Sequence, residues 1–283
     1  MNTRIDTLEL KAVSQVDKQQ WLEQESRRQA RGRRNEVLSI WAWRIAVIAA
    51  LLGLWEWVSR SGLVSSFFIS SPSEITAFLT GHVQTAGFWT DVSITVEETL
   101  WGFAAAGVAG VLCAFVLVQS RMLREVLDPI LSFLNSLPRV AFAPLFIAFF
   151  GLGMLSKIVL AFSLCFFIVL NGALTGLGSI DPDLNVLTRQ LGASRLQYFT
   201  KLVVPNALPS IFAALRLSLI YGFLAVVVGE MIGSNQGLGQ QIAYYSGVLR
   251  TDAVFGLLFV LGLIATLAVE ALRKIESYLL RWQ

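Results

Sequence analysis

The sequence predicts an all-α polytopic membrane protein with about six transmembrane helices, and three observations carry that prediction. Of its 283 residues 55% are hydrophobic and only 14% charged, with a mean hydropathy of +0.65. A soluble domain of this size needs more polar surface to face water. The apolar residues come in blocks of roughly 20, the length of helix that crosses ~30 Å of hydrocarbon. Lys and Arg gather in alternate segments between those blocks. A β-barrel would require period-two alternation, whereas these blocks are apolar on every side.

Residues 1–39 form a hydrophilic arm that ends in the basic cluster RRQARGRR (27–34). It is too long and too charged for a cleavable signal peptide. The first span is read at about 40–58, with Trp41, Trp43, Trp55 and Trp57 as interfacial anchors at its ends. The next segment, 59–98, holds the turn signal SSPSE and the acids Glu74, Asp91, Glu97 and Glu98. His82, the only histidine, is expected there as a surface residue, because one His cannot make a metal site. The second span is read at 99–118, and Arg121 and Arg124 form a short basic link after it. The third, 130–150, is interrupted by Pro138 and Pro144. The fourth follows the turn GLGMLS at 157–176, the fifth is read at 208–232, and a Gly-rich polar stretch, 233–252, leads to the sixth at 253–271. Cys113 and Cys165 lie in apolar blocks without metal-ligand or CxxC spacing and are expected to pack as small hydrophobes.

Six spans put both termini on one side. The basic residues concentrate in 1–39, 119–127, 177–206 and the C-terminal end (Arg273, Lys274 and Arg281), so the positive-inside rule places all of these in the cytoplasm. The domain organisation is therefore a cytoplasmic arm (1–39), a membrane domain (40–275) and a short tail (276–283).

The segment 177–206 is neither a span nor an ordinary loop. Asp181-Pro182-Asp183 is a helix-start signal. From there Leu187, Leu191, Tyr198 and Leu202 fall on one side of a helical wheel. Gly192 permits a bend, Pro205 is expected to stop the helix, and Asn206 to cap the next. Such an amphipathic segment suits two surfaces equally: lipid headgroups or a groove on a partner protein.

Ionisable groups inside spans are costly and each asks for a partner or a task. Arg44, Glu56 and Glu270 are near span ends and can snorkel. Arg139 and Arg216 are deeper, and Glu230 sits near the outer end of the fifth span. Asn135, Arg139, Asn171, Arg216 and Glu230 are the candidate pathway residues. For Arg139 the competing reading is a structural ion pair or a capping arginine, and for Glu230 a gate or packing role at the outer mouth outranks solute contact. The runs GFAAAGVAG (102–110) and NGALTG (171–176) suit close helix packing.

In QLGASRLQYFTKLVVP (190–205), Gly192 is followed after nine residues by Leu202-Val-Val204-Pro205. This resembles the cytoplasmic loop of permease subunits of bacterial ABC importers, whose pattern is Glu-Ala-Ala, three residues, Gly, nine residues, Ile-x-Leu-Pro. The place of the acidic triplet holds Val186-Leu187-Thr188. LDPILSFLNSLPRVAFAPLFIAFFGLGMLSK (127–157), GEMIGSNQGLG (229–239) and SPSEI (71–75) are similar to blocks of the nitrate/sulfonate/taurine/bicarbonate group. The resemblance implies a type I ABC importer permease fold in a bacterial inner membrane. It further implies a second copy of the permease, two ATP-binding subunits that carry ATP and Mg, and an extracytoplasmic solute-binding protein. Nucleic acid has no place in it. Leu187, Leu191, Gly192, Ala193, Ser194, Arg195, Tyr198 and Pro205 would make the ATPase-coupling surface, and the solute would be a small anion such as a sulfonate, nitrate, bicarbonate or an aromatic or organic acid. No GxxxxGK[ST] phosphate loop occurs, so this chain is not expected to be an enzyme or to hold a cofactor itself. The rival class is an ATP-independent channel or secondary transporter, which predicts internal repeats and intramembrane ion ligands.

Overall fold

The computed structural model describes residues 36, 39–62 and 68–280, and among them every regular element is helical. The chain divides into two compact units, Met1–Val64 and Ser65–Gln283. In the first, helix α1 (Ser39–Arg60) matches the predicted first span. The Arg44 guanidinium lies 5.1 Å from the Trp41 ring, and Glu56 pairs with Arg60 one turn on. Apart from Glu36 and Ser39, the basic arm lies outside the described residues, as does the C-terminal Arg281.

The second unit opens with α2 (Pro72–His82), whose start is set by a capping box. The Ser71 hydroxyl accepts the Glu74 amide at 3.3 Å, and the Glu74 carboxylate accepts the Ser71 amide at 3.1 Å and the Ser70 hydroxyl at 2.8 Å. Those donors hold the Glu74 carboxyl below its ordinary pKa. Then come α3 (Ala86–Gln119), α4 (Arg121–Ser136), a 3-10 turn (Arg139–Phe142), α5 (Ala143–Phe150) and α6 (Met154–Gly178). After these follow α7 (Pro182–Gln190), α8 (Arg195–Tyr198), a π-turn (Phe199–Val203), α9 (Val204–Gly233), α10 (Leu238–Gly247) and α11 (Thr251–Leu279). Among the described residues five helices are long and apolar enough to cross a membrane, and the bent pair of α4 with the 3-10 turn and α5 counts as a sixth where the pair is taken as one broken span. That pair turns by 74° at the break. The cause is local: Leu137 precedes Pro138 and is held extended (φ −71, ψ 136), so the helix cannot run through.

The centre of this unit is α6, which packs on α3 along one side and on α9 along the other. Both contacts use the small-residue runs. A Cβ on Gly102 would stand 2.6 Å from the Ala161 Cβ, and one on Gly110 3.0 Å from the Phe166 carbonyl. Across the other seam, a Cβ on Gly172 would stand 2.2 Å from the Ala214 Cβ, and one on Gly176 2.8 Å from the Ala207 carbonyl. Backbones that approach this closely gain dispersion contacts in a solvent that offers no hydrophobic drive. Three buried clusters follow along the bundle. Leu117, Leu170, Leu177 and Val203 lie near the α7–α8 end, Leu160, Ala161 and Val226 farther along, and Phe88, Leu238, Ile242 and Leu257 where α2 and α10 pack. Cys165 is fully buried in the seam, its thiol donating to the Ser218 carbonyl at 3.0 Å. Outward faces stay apolar, as at Val108, Leu112, Phe259 and Leu267.

Four expectations are corrected. Helix α3 begins at Ala86 rather than 99, because Asp91 and Glu98 find partners or burial inside the fold instead of marking a loop. Residues 238–247 are helix α10, since Leu238, Ile242 and Tyr245 recur at helical spacing and pack on the α11 residues Leu257 and Leu261. The helix that holds the last span continues to Leu279. His82 is half-buried rather than on the surface: it stacks on Phe78 at 4.8 Å, meets Phe88 edge-on, and shares a 2.7 Å hydrogen bond with Gln241.

The α6–α9 seam makes a differential prediction. Gly176→Ala pushes a methyl into backbone and should cost about 1–3 kcal/mol, read as a lower melting temperature of the detergent-purified chain. Gly178→Ala, where a Cβ meets nothing within 4 Å, should leave the melt unchanged.

Candidate functional site

The segment between α6 and α9 is built from paired helix caps. α6 ends at Gly178, and the Ser179 hydroxyl donates back to the Gly176 carbonyl at 2.9 Å. The Asp181 carboxylate accepts the Asp183 amide at 2.9 Å and starts α7. α7 closes on Gly192, which sits at φ +69, while the Ala193 amide reaches the Thr188 carbonyl at 3.2 Å. This is a Schellman-type stop, and the left-handed backbone is the reason for a glycine there. Added side-chain atoms at Gly192 would meet nothing within 4 Å, so packing does not demand the glycine. Two residues later Ser194 opens α8 with a capping box, accepting the Gln197 amide at 3.2 Å while Gln197 accepts the Ser194 amide at 2.9 Å.

α8 does not end. It passes through the π-turn into α9, making one helix from Arg195 to Gly233. The expected stop at Pro205 and cap at Asn206 are therefore wrong. The Val204 amide bonds back to Phe199 across the wider turn, and Pro205 falls at the start of the following α-helical register, where its missing N–H is tolerated. Asn206 instead donates to the Ser179 hydroxyl at 3.3 Å, tying the start of α9 to the end of α6.

The predicted apolar stripe also divides. A helical wheel assumes one axis, and the left-handed Gly192 gives α7 and α8 separate axes. Leu187, Leu191 and Leu196 are exposed, Leu191 at 76%, together with Arg195 and Ser194. Tyr198 turns inward onto the cluster around Leu177 and Val203. Its hydroxyl donates to the Asn185 side chain at 2.6 Å and locks α8 against α7. The result is a stiff surface element with leucines and a cation outward and a tyrosine strut behind them.

The candidate pathway residues fall into three places. Asn135 and Arg139 meet at the break between α4 and the 3-10 turn: the guanidinium donates to the Asn135 carbonyl oxygen at 2.7 Å and to the Leu134 backbone at 3.2 Å. It also lies 4.1 Å from the Phe167 ring centre. Asn171 is exposed one turn beyond Phe167 on the same face of α6. Arg216 is elsewhere, in an ion pair with Glu276 that ties α9 to α11.

Glu230 is 1% exposed and belongs to a buried network that sequence spacing does not reveal. Thr95 donates to it at 2.7 Å and the Gly239 amide at 2.7 Å. The Leu238 amide reaches the Thr95 hydroxyl at 2.9 Å, the Gly237 amide reaches Asp91 at 2.7 Å, and Gln241 donates to the same aspartate. Gly237 (φ +103) and Gly239 are required here, because a Cβ on either would stand within 3 Å of the Glu230 side chain. Lys157, 1% exposed, donates to the Leu152 carbonyl and, at 3.2 Å, to Gly153. Glu98, 2% exposed, lies within interaction range of Glu230 and Lys157. Neither Glu98 nor Lys157 is apparent as a functional candidate from sequence, since each sits at the edge of a polar stretch.

This arrangement resembles known proteins along most of its length. The family described as "Binding-protein-dependent transport system inner membrane component" matches residues 106–275. The taurine transport system permease protein TauC of Escherichia coli (strain K12) is 30% identical over 84% of this chain and 88% of its own. The formylaminopyrimidine transport permease protein ThiX of Halalkalibacterium halodurans is 29% identical over 82% of this chain and 92% of its own. In fold, the crystal structure of an amino acid ABC transporter with histidines aligns with a TM-score of 0.57 at 18% identity, covering 73% of this chain and 98% of that one.

Removing the Tyr198 hydroxyl tests the strut. Tyr198→Phe should cost about 1 kcal/mol of local stability and speed amide hydrogen exchange in 182–191 about fivefold, with 154–178 unaffected.

Proposed function

The chain belongs to the family of binding-protein-dependent transport system inner membrane components, and from that premise we propose that it forms the transmembrane path of an ABC importer and is driven through residues 182–203. Its reading as a multi-pass inner-membrane permease subunit agrees with the five apolar helices and the bent pair. Two copies of the permease, two ATP-binding subunits carrying ATP and Mg, and an extracytoplasmic solute-binding protein complete the machine. The basic segments around Arg121, Arg124 and Lys201, with both termini, face the cytoplasm.

The observation that carries the coupling role is the single helix Arg195–Gly233. A push on Ser194 and Arg195 reaches the bundle core without a flexible joint, because α8 enters α9 through hydrogen-bonded backbone. The Tyr198–Asn185 and Asn206–Ser179 bonds keep α7 and α6 in step with it. Leu187, Leu191 and Leu196 supply the apolar contact that helix-in-groove recognition uses, with Arg195 for orientation. Hydrolysis itself belongs to the partner subunits.

The transported solute is a small organic or inorganic acid, such as a sulfonate, nitrate, bicarbonate or an aromatic acid. The similarity to a taurine permease supports this class, as does the Arg139 guanidinium held on Phe167 at a helix break that frees backbone groups. Asn135 and Asn171 add hydrogen-bonding amides on the same side of the break.

The coupling surface is tested by co-expressing the chain with its ATP-binding subunit and purifying through the permease. Leu191→Glu and Gly192→Glu should remain in the membrane fraction but lose the ATPase by tenfold or more. Gly192→Asn, which tolerates the left-handed backbone, should retain it. Normal ATPase recovery with both glutamate variants rules the surface out.

A further inference from the structure

The turn between α8 and α9 holds one residue more than an α-helix would. The Val204 amide bonds to the Phe199 carbonyl, five residues back, where an α-turn reaches four. Beyond it the inward stripe of α9 is regular. Val203, Ala207 and Ile211 follow at four-residue steps and are buried in one cluster. Continued backwards at α-helical spacing, that stripe dictates which side of α8 should face the bundle. Leu196, seven residues before Val203, would fall within ~20° of it, and Tyr198, five before, would point ~140° away.

The observed facing is the reverse. Leu196 is 72% exposed, while Tyr198 packs on the cluster that holds Val203 and reaches Asn185 of α7 at 2.6 Å. The wide turn accounts for the difference, because it absorbs one residue. Tyr198 then lies as if four residues before Val203, ~40° from the stripe, and Leu196 as if six, ~120° from it. Thr200, inside the turn, is exposed, and its hydroxyl folds back on the Leu196 carbonyl at 2.8 Å, so no core contact requires it. Just beyond, Pro205 has no amide for the Lys201 carbonyl and its ring crowds that oxygen, which favours a wide turn ahead of it over a tight one.

We propose that the π-turn is the positioning element of the coupling surface. Its one surplus residue turns α8 by about 100°, so that Leu196 is offered to the ATP-binding subunit and Tyr198 is kept behind it as the strut. The identity of that partner rests on the coupling reading above; the facing of α8 does not. What the turn contributes is length. Deleting Thr200 makes Phe199 the fourth residue before Val204, so the same bond closes an ordinary α-turn and both faces stay where they are. Inserting one alanine after Thr200 adds a residue that the turn does not absorb, which brings Leu196 onto the stripe and takes Tyr198 off Asn185.

The two length variants test this on the full, detergent-purified chain carrying Leu196→Cys, with labelling by a water-soluble maleimide measured over that of the chain without the new cysteine. The Thr200 deletion should label as fast as the chain of natural length, and the alanine insertion at least tenfold more slowly. Amide exchange in 182–191 should stay unchanged in the deletion and rise in the insertion about as far as in Tyr198→Phe. Protection of the cysteine in the deletion, or equal labelling in the insertion, overturns the proposal. Where the insertion fails to fold, the deletion decides alone, because an ordinary α-helix without a wide turn would lose its facing on losing a residue. Co-purification of the ATP-binding subunit, retained by the deletion and lost tenfold or more by the insertion, then tests the partner. Labelling involves no partner, so a failure of the facing and a failure of the coupling reading appear in different measurements.

Discussion

The backbone-to-backbone approach of α6 to α3 and α9 is the constraint on which the rest of this structure depends. Hydrocarbon is as apolar as a leucine, so helices in it do not associate to escape their solvent. They associate where their surfaces fit, and glycine gives the closest fit. Gly102 and Gly110 open α3 to the Ala161 and Phe166 region of α6, and Gly172 and Gly176 open α6 to Ala207 and Ala214 of α9. With these seams closed, the three helices bury two successive clusters, one around Leu160 and Ala161 and one around Leu170 and Leu177. The Glu230 network and the Arg216–Glu276 pair draw their residues from them.

That mounting explains why the two ends of α9 differ. At one end the helix continues outward through a π-turn into α8 and presents an exposed surface. At the other, Glu230 is gripped by a side chain of α3 and a backbone amide of α10. Gly229 contributes by admitting the Lys157 side chain, whose Cγ would lie 3.2 Å from an added Cβ.

Much of the fold is legible in the sequence because hydropathy and proline act locally. The span positions, the break at Pro138 and the packing role of the glycine runs follow from neighbours within a turn or two. The failures share one origin. Asp91, Thr95 and Glu98 read as an edge of polar loop because their partners lie about 140 residues away in the chain; Gly237 and Leu238, which bond Asp91 and Thr95, are separated from them by 146 and 143 positions. Long-range satisfaction of a polar group leaves no periodic trace. The coupling segment was half legible: the Gly192-to-Pro205 register stands out in sequence, while the inward turn of Tyr198 and the passage of helix through Pro205 depend on a left-handed glycine and a π-turn.

The same reasoning accounts for where the glycines of 229–239 fall. A carboxylate buried at Glu230 requires donors, and side chains alone supply one, the Thr95 hydroxyl. The second comes from backbone, and backbone reaches a carboxylate at 2.7 Å only if nothing projects between them. Gly239 meets that need by lacking a Cβ, and Gly237 does so while also holding φ +103. The loop is therefore shaped by the acid it serves. Removing either partner leaves the other without reason: a glycine pair with no carboxylate loses its anchor, and a buried carboxylate without amide donors bears the full desolvation cost. Glu98 departs from this arrangement. It is 2% exposed, yet its Oε2 has no hydrogen-bond partner.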